Sequence, residues 1–182
     1  MAVPTEVTIS NLSGTYTLNR HLSDSSQSVL KMQGVNFLVR QAVAYSTVDV
    51  TLKQYTSPDG ALHLDQEQVS TGGVRNFEDR IMDWETGEKT NWIWGKVSGQ
   101  SRYTTLGEIE DDYLREGWGP DCVEGEVVEG YVESVTDRWS ARQVWGFAEV
   151  EGMRKHVRRI LARKPGHRDE RIRLVYDWKG PA

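Results

Sequence analysis

The pattern of apolar and polar residues changes from a helical period to a strand period near residue 45. Between Ser28 and Ala44, apolar side chains cover most of a helical circumference and leave one narrow polar stripe, formed by Gln33, Asn36 and Arg40. A helix with so little polar surface is buried on two or more sides. The pattern therefore predicts one helix, roughly from Ser28 to Ala44, that plugs or covers a sheet.

Strands dominate the rest of the pattern. Apolar and polar residues alternate at 48–53 and again at 62–65, and the turn sequence Ser57-Pro58-Asp59-Gly60 separates these two segments. Short turns of this kind join antiparallel neighbours, and a long antiparallel meander can close into a barrel without open edges. We therefore expect residues 1–182 to form a single all-β domain. It would be one antiparallel up-and-down barrel of about eight to ten strands, with one helix after the first strand. Further strands are expected at 13–19, 74–84, 91–103, 123–135, 141–150, 153–163 and 171–178.

Aromatic residues lie beside charged residues on one side of the predicted strands. If residues 91–97 form a continuous strand, Trp92, Trp94 and Lys96 share a side, because successive strand side chains point to opposite faces. We assign this mixed face to the barrel lumen, as in a pocket for a flat, partly polar molecule. The alternative is that these are large core residues whose polar edges reach solvent. The opposite face is small and apolar; it either leaves room for a cavity or lies under the helix.

The same face supplies groups for acid–base chemistry. The predicted catalytic residues are Glu78, Arg80 and Lys96. In an aromatic lumen, burial raises the pKa of a carboxyl group and a nearby cation lowers it. Either protonation state can take part in catalysis. The alternative is an ion-pair cluster that only fixes strand register. The predicted ligand-binding residues are aromatic or cationic: Tyr16, Arg20, Arg40, Trp84, Trp92, Trp94, Tyr131, Trp145 and Phe147.

Composition excludes several other classes of protein. The net charge of −5 and the pI of about 5.4 argue against a nucleic-acid partner. Cys122 stands alone in an acidic stretch, so the sequence predicts no internal disulfide, no zinc cluster and no thiolate nucleophile. Triad, phosphate-loop and dinucleotide motifs are missing and the histidines are scattered, so no cofactor and no metal are expected. No leader or membrane span is recognised, which predicts a cytoplasmic protein without a membrane partner.

Charge is divided unevenly along the chain. Residues 108–133 contain ten acidic residues and one basic residue, whereas residues 138–173 contain eleven basic and four acidic residues. Cross-strand ion pairs between adjacent hairpins are the expected explanation. A patch for an acidic or basic partner is the alternative.

Several motifs resemble one protein family. Ser13-Gly14-Thr15-Tyr16 is similar to the Gly-x-Trp motif on the first strand of lipocalins and fatty-acid-binding proteins, the calycins, with Tyr16 in place of Trp. Most of the chain resembles small intracellular fungal lipocalin-like proteins. The matching segments are 14–19, 52–55, 71–73, 83–85, 95–97, 116–118 and 174–178. The resemblance implies a lipocalin-like barrel with a ligand cavity. It also suggests a role in natural-product metabolism, where such barrels can act as cofactor-free cyclases or isomerases.

Two hypotheses of different classes follow. The first is a cofactor-independent cyclase or isomerase that acts on a small aromatic or polyketide-like natural product. The second is a non-catalytic carrier for a small aromatic or hydrophobic molecule. An enzyme needs a titratable group beside the reacting atom, whereas a carrier needs only one or two anchoring charges. The sequence does not identify the substrate, and it leaves a homodimer open.

Overall fold

The computed structural model describes residues 1–182. Its ten strands form one antiparallel sheet in the order β4-β3-β2-β1-β10-β9-β8-β7-β6-β5. The predicted all-β, up-and-down barrel is confirmed. The strands are β1 (Gly14–Leu18), β2 (Val48–Thr56), β3 (Leu62–Ser70), β4 (Val74–Glu78), β5 (Gly87–Asn91), β6 (Gly95–Thr104), β7 (Val127–Ser134), β8 (Ser140–Val150), β9 (Met153–Arg163) and β10 (Glu170–Gly180).

The two ends of the sheet, β4 and β5, are linked only through side chains. Asn91 Nδ2 donates to Asn76 Oδ1 at 3.3 Å, and Lys89 Nζ lies 2.7 Å from Asp79 Oδ1. Residues 79–86 connect these two strands. Ile81 of this connection still pairs with His63 of β3, so the chain runs on beside β3 before it reaches β5, and the backbones of β4 and β5 do not pair. The expected barrel without open edges is therefore wrong at this one seam.

Two helices, rather than the predicted one, connect β1 to β2. They are α1 (Gln27–Met32) and α2 (Phe37–Tyr45). Gly34 has φ of 78°, a left-handed conformation that ends the first helix. Asn36 then caps the second helix, with its side chain accepting from Leu38 N at 2.7 Å. The predicted burial on two or more sides is wrong for α2. The first helix buries Val29, Leu30 and Met32, whereas α2 has no buried residue and leaves Phe37, Leu38 and Tyr45 exposed.

Both helices, together called the lid, are fastened over one end of the barrel. The Trp94 indole Nε1 donates to Gln33 Oε1 at 3.0 Å, which ties the β5–β6 hairpin to α1. Lys164 Nζ donates to the carbonyl of Met32 at 3.3 Å from the opposite side of the barrel. The lid therefore closes the end where the β5–β6 and β9–β10 turns lie.

Two short helices cover part of the outside of the barrel. They are α3 (Asp112–Arg115) and α4 (Pro120–Val123), which follow a 3₁₀ turn at Leu106–Glu108. None of the helices in the structure has the length and apolar character needed to cross a membrane.

Residues of the two charge blocks pair between neighbouring elements on the outside of the barrel, as predicted. Arg142 on β8 binds Glu129 on β7. Arg154 Nη2 lies 2.5 Å from Asp121 Oδ2. Asp111 also pairs with Arg163 and Arg171, so local pairing accounts for part of the uneven charge.

Strand register decides which face of the sheet is inside. Glu133 pairs with Ser140, and Val132 pairs with Ala141, so odd-numbered residues of β7 lie opposite even-numbered residues of β8. Directly paired residues share a face. Because Trp145 and Phe147 face inward on β8, the inward residues of β7 are its even-numbered ones. The face assignment made from the sequence is right for β8 and wrong for β6 and β7.

Gly146 on β8 is required for close packing of α4 against the barrel. A Cβ at this position would lie 2.9 Å from both Cys122 Sγ and Trp118 Cε3. We expect Gly146→Ala to lower the free energy of unfolding by about 1–3 kcal/mol, the usual cost of overpacking. Gly87→Ala is the matched control, because a Cβ at Gly87 meets nothing within 4 Å. Chemical denaturation of both variants tests this, and equal stabilities would contradict it.

Candidate functional site

A cavity of about 590 Å³ lies between the lid and the inner face of the sheet. This volume falls within the range of small-molecule sites. Its walls near the lid are mostly aliphatic, and small residues such as Gly99 and Ala141 leave the space open. The aliphatic lining includes Val29, Leu30, Val35, Val39, Val43, Val97, Val132, Ile160, Ile172 and Leu174.

Seven charged side chains border this cavity. Four of them, Asp79, Asp83, Glu85 and Lys89, lie between β4 and β5 or on β5, and we call the other three, Glu78, Arg80 and Arg158, the charged cluster. Glu78 and Arg80 form an ion pair, and their side chains are 27% and 17% exposed. The pair is therefore accessible to a molecule in the cavity. The chain continues beside β3 after Glu78, since Leu64 N donates to the Arg80 carbonyl at 2.9 Å. This continuation places both side chains on the same side, as the sequence predicted.

Arg158 of β9 is the most buried member of the charged cluster. Its Nη1 donates to Gln66 Oε1 at 2.7 Å and its Nε donates to His156 Nε2 at 3.2 Å. The guanidinium carbon lies 3.7 Å from the centre of the Trp145 ring. Burial lowers the pKa of Arg158, but an arginine side chain remains charged at neutral pH. No carboxylate bonds to it, so the charged cluster carries a net positive charge beside the cavity.

Trp145 lies between the two arginines of the charged cluster and the core. The Arg80 guanidinium carbon is 5.1 Å from its ring centre. Its indole Nε1 donates to Gln143 Oε1 at 2.8 Å. Stacking of guanidinium groups on an aromatic ring stabilises the cations where water is excluded.

The structure separates Lys96 from the other two predicted catalytic residues. Lys96 is on the outer face of β6, where its Nζ lies 2.7 Å from Glu88 Oε2 and its side chain is half exposed. The predicted placement of Lys96 in the lumen is wrong. The prediction failed because residues 92–94 form a hairpin turn instead of a strand, which changes the face to which the following side chains point.

This turn explains why the side chains of Trp92 and Trp94 lie in different places. Asn91 pairs with Gly95, and Gly95 has φ of 70°, as in a three-residue hairpin loop with a glycine bulge. Trp92, at the tip, is 63% exposed and does not line the cavity. Trp94 does line it, beneath the lid. The two residues therefore do not share a strand face.

Tyr131 is next to the cavity, but its side chain points to the outer face of β7. Its hydroxyl donates to Glu133 Oε2 at 2.8 Å, and Arg142 stacks on its ring at 5.3 Å, both on the outer face. Trp84, another predicted ligand-binding residue, also turns outward. It has φ of 62°, and its ring centre lies 4.4 Å from the Arg102 guanidinium carbon. Strand parity and a kink place these side chains outside the lumen.

Three predicted aromatic residues belong to the core and do not line the cavity. Tyr16 is 1% exposed, and its hydroxyl donates to the carbonyl of Leu12 at 2.9 Å. Burial raises the pKa of Tyr16. Trp145 and Phe147 are each 1% exposed. For these residues the alternative reading, large core side chains, is correct.

The two predicted anion-binding arginines of the lid region bind backbone carbonyls instead. Arg20 Nε donates to Ser46 O at 3.0 Å at the end of α2. Arg40 Nη1 donates to Val35 O at 2.7 Å. Both therefore fix the lid, and neither lines the cavity.

The sequence reasoning missed His156, Arg158 and Gln66. The signal was available, because His156, Arg158 and Ile160 alternate along a predicted strand and must share one face. Histidine and arginine on the same side as isoleucine suggest either an exposed face or a buried polar site. Strand alternation alone does not distinguish an exposed face from a buried polar site.

Other reactive groups are inert or dispersed. Cys122 is buried, and burial raises its pKa to about 11, so its thiol stays protonated at neutral pH. No group of three or more His, Cys, Asp or Glu side chains is arranged to hold a metal ion.

Comparison with known proteins places the chain in a family. It is 34% identical over 188 residues to the pericyclase pydY of Acremonium sp., covering 100% of this chain and 98% of that protein. The chain belongs to the family of this pericyclase. A second family member, described as a probable pericyclase, scpY of Mollisia scopiformis, is 31% identical over 184 residues, with coverage of 99% and 96%. No protein-family model matches the chain.

Solved structures of other proteins share the fold of this chain. The fatty-acid-binding protein of Schistosoma mansoni, in complex with arachidonic acid, has a TM-score of 0.60 at 14% identity, covering 94% of this chain and 98% of that one. Human cRBP IV gives 0.57 at 13% identity, with coverage of 92% and 98%. At these identities the likeness shows the fold alone, a calycin-type β-barrel. The fold implied by the sequence resemblance is thereby confirmed.

Proposed function

We propose that this protein is a cofactor-independent cyclase of the pericyclase type, acting on a small aromatic or polyketide-like natural product in the barrel cavity. The full-length similarity to two proteins described as pericyclases supports the reaction class. The observation that carries the proposal is the accessible Glu78–Arg80 ion pair, which borders a cavity whose walls near the lid are aliphatic. The proposed substrate is mainly apolar and contains at least one carbonyl group.

The cavity contributes to a ring closure first by restricting the substrate. A flexible chain must bring its reacting carbons together before bonds can form. Holding reactants in a near-attack geometry can supply about 7–11 kcal/mol of the barrier in favourable cases. The aliphatic walls near the lid, together with the fastened lid, provide a shaped space for this folding.

The charged cluster contributes by acting on a carbonyl of the substrate. Electron density moves onto a carbonyl oxygen when an adjacent alkene accepts electrons during ring closure. Fixed cationic donors stabilise that oxygen more in the transition state than in the ground state. Arg80 is the accessible donor, and Arg158 adds positive charge from behind it.

Glu78 has two roles in this proposal. Its carboxylate fixes the Arg80 guanidinium through their ion pair. It is also one of the carboxyl groups that border the cavity, and a carboxyl group in that position can transfer a proton in an acid–base step. Lys96 is no longer included, because it lies on the outer face.

Single substitutions in this pair test the proposal. We expect Glu78→Gln and Arg80→Met each to lower turnover of the substrate by about 10²-fold, as for loss of a positioned acid–base or donor group, with affinity kept. Glu88→Gln is the matched control, because Glu88 forms an exposed pair with Lys96. Turnover is followed by chromatography and affinity by ligand titration. A molecule that co-purifies with the protein, identified by native mass spectrometry, supplies the starting substrate.

The second candidate function is a non-catalytic carrier. It is favoured by one observation, the fold shared with a fatty-acid-binding protein in complex with arachidonic acid. If the two substitutions weaken ligand binding and no conversion of the ligand is detected with the unmodified protein, the carrier is the better description.

A further inference from the structure

We infer that His156 is a positioning residue, which holds the Arg158 guanidinium behind the cavity by accepting a hydrogen bond as a neutral imidazole. The inference rests on the proposed function, because it assigns Arg158 to the charge that acts on the substrate. His156 itself does not line the cavity.

The geometry defines how His156 contacts Arg158. The two residues are two apart on β9 and point to the same side of the strand. Arg158 Nε donates to His156 Nε2 at 3.2 Å. An arginine nitrogen can only donate, so His156 Nε2 must be the unprotonated nitrogen and the ring proton must be on Nδ1.

The surroundings keep His156 neutral. The side chain is 0% exposed. Tyr16 of β1 and Tyr176 of β10 pack on it, with ring centres 5.0 and 5.5 Å away, and Trp145 and Phe147 of β8 pack on its other sides. Burial first, and then the positive charges of Arg158 and Arg154, lower the pKa of His156 well below 6.5. The Gly146 backbone raises the pKa of His156, but this effect is smaller than those of burial and of Arg158, and no carboxylate is bonded to the ring.

Neutral acceptors have a specific consequence for Arg158. A carboxylate in the place of His156 would orient the guanidinium but would also cancel its charge. The imidazole of His156 and the amide oxygen of Gln66 fix two of the guanidinium nitrogens without neutralising them. The positive charge therefore remains available to act on a substrate carbonyl, in a site of low dielectric where it has a large effect.

Three variants separate a positioning role from a structural one. We expect His156→Phe, which keeps the ring packing and removes the acceptor, to lower kcat about tenfold or more with little change in KM. His156→Gln places an acceptor oxygen near the position of Nε2 and should recover most of this loss. Tyr16→Phe is the control in the same cluster, because it removes the hydrogen bond to Leu12 and leaves Arg158 untouched. It should lower the melting temperature and keep kcat.

Nitrogen NMR of the unmodified protein tests the inference without any activity. With ¹⁵N-labelled protein at pH 6, we expect His156 to show the neutral Nδ1–H form and Arg158 to show a slowly exchanging Nε–H, which His156→Phe removes. A charged imidazole, a proton on Nε2, or an unchanged kcat in His156→Phe would overturn the inference. If the NMR result holds but variants of Glu78, Arg80 and Arg158 all keep full turnover, the proposed function fails and the geometry of His156 stands.

Discussion

Arg158→Met is expected to lower kcat/KM by about 10²–10³-fold, the usual effect of removing one fixed donor at a developing oxyanion. The same change should leave the free energy of unfolding unchanged or raise it. Arg158 is buried and has no bonded carboxylate, so folding must remove its charge from water with only neutral partners in return. Replacing a buried charge of this kind by an apolar side chain of similar volume is often neutral or stabilising.

The adjacent residue provides a matched control for this prediction. Arg159 points to the outer face, where its Nη1 donates to the backbone carbonyl of Tyr113 at 3.0 Å. Its guanidinium carbon also lies 5.1 Å from the centre of the Tyr113 ring. Arg159→Met should therefore reduce stability and keep kcat/KM. The measurements are steady-state kinetics and urea unfolding of both variants. Full activity in Arg158→Met, or equal activity losses in both variants, would show that Arg158 does not act on the substrate.

The double variant Arg102→Met with Arg142→Met is expected to destabilise the protein by about 3–5 kcal/mol, the cost of leaving a buried charge unpaired. Both arginines bind Glu129, which is 0% exposed on the outer face of β7. With both cations removed, the carboxylate remains buried and loses its partners. For a chain of this length the melting temperature should fall by roughly 6–20 °C.

Substituting Glu129 and substituting its two arginine partners should change the stability of the protein by different amounts. Glu129→Gln is expected to cost less than the double variant, because Arg102 and Arg142 are 28% and 39% exposed and can be hydrated without it. Adding Glu129→Leu to the double variant should restore much of the stability, since no buried charge then remains. Lys96→Met, at the exposed pair with Glu88, serves as the control and should change stability by about 0–1 kcal/mol. Calorimetry checks all four variants; a triple variant less stable than the double one would contradict the argument.

Much of the architecture was predictable because it depends on local patterns. Alternation and turn sequences gave the antiparallel meander, and the two-residue spacing of Glu78 and Arg80 placed them on one side. The opposite charge blocks correctly predicted local pairing, as in Arg142 with Glu129. Each of these conclusions needs only strand geometry and the proximity of successive hairpins.

Some of the predictions were wrong at glycine and asparagine residues that break a periodic pattern. Gly34 and Asn36 divide one apolar run into two helices, and Asn91 and Gly95 convert a tryptophan-rich strand into a hairpin turn. These residue types signal such breaks, but a long apolar or aromatic run masked them. A single misread turn then moved Trp92 and Lys96 to the wrong face.

The sequence by itself determined that this protein is an antiparallel barrel in which Glu78 and Arg80 lie on one side of the chain, because the strand period and short turns act locally. The tertiary structure decided which face is inside, because the pairing of Glu133 with Ser140 sets opposite parities on β7 and β8. It also decided that Arg158 is buried at the cavity and is bonded there to His156, which lies in the core. Burial depends on what the other strands bring to the same place, and a strand's own alternation cannot supply that information.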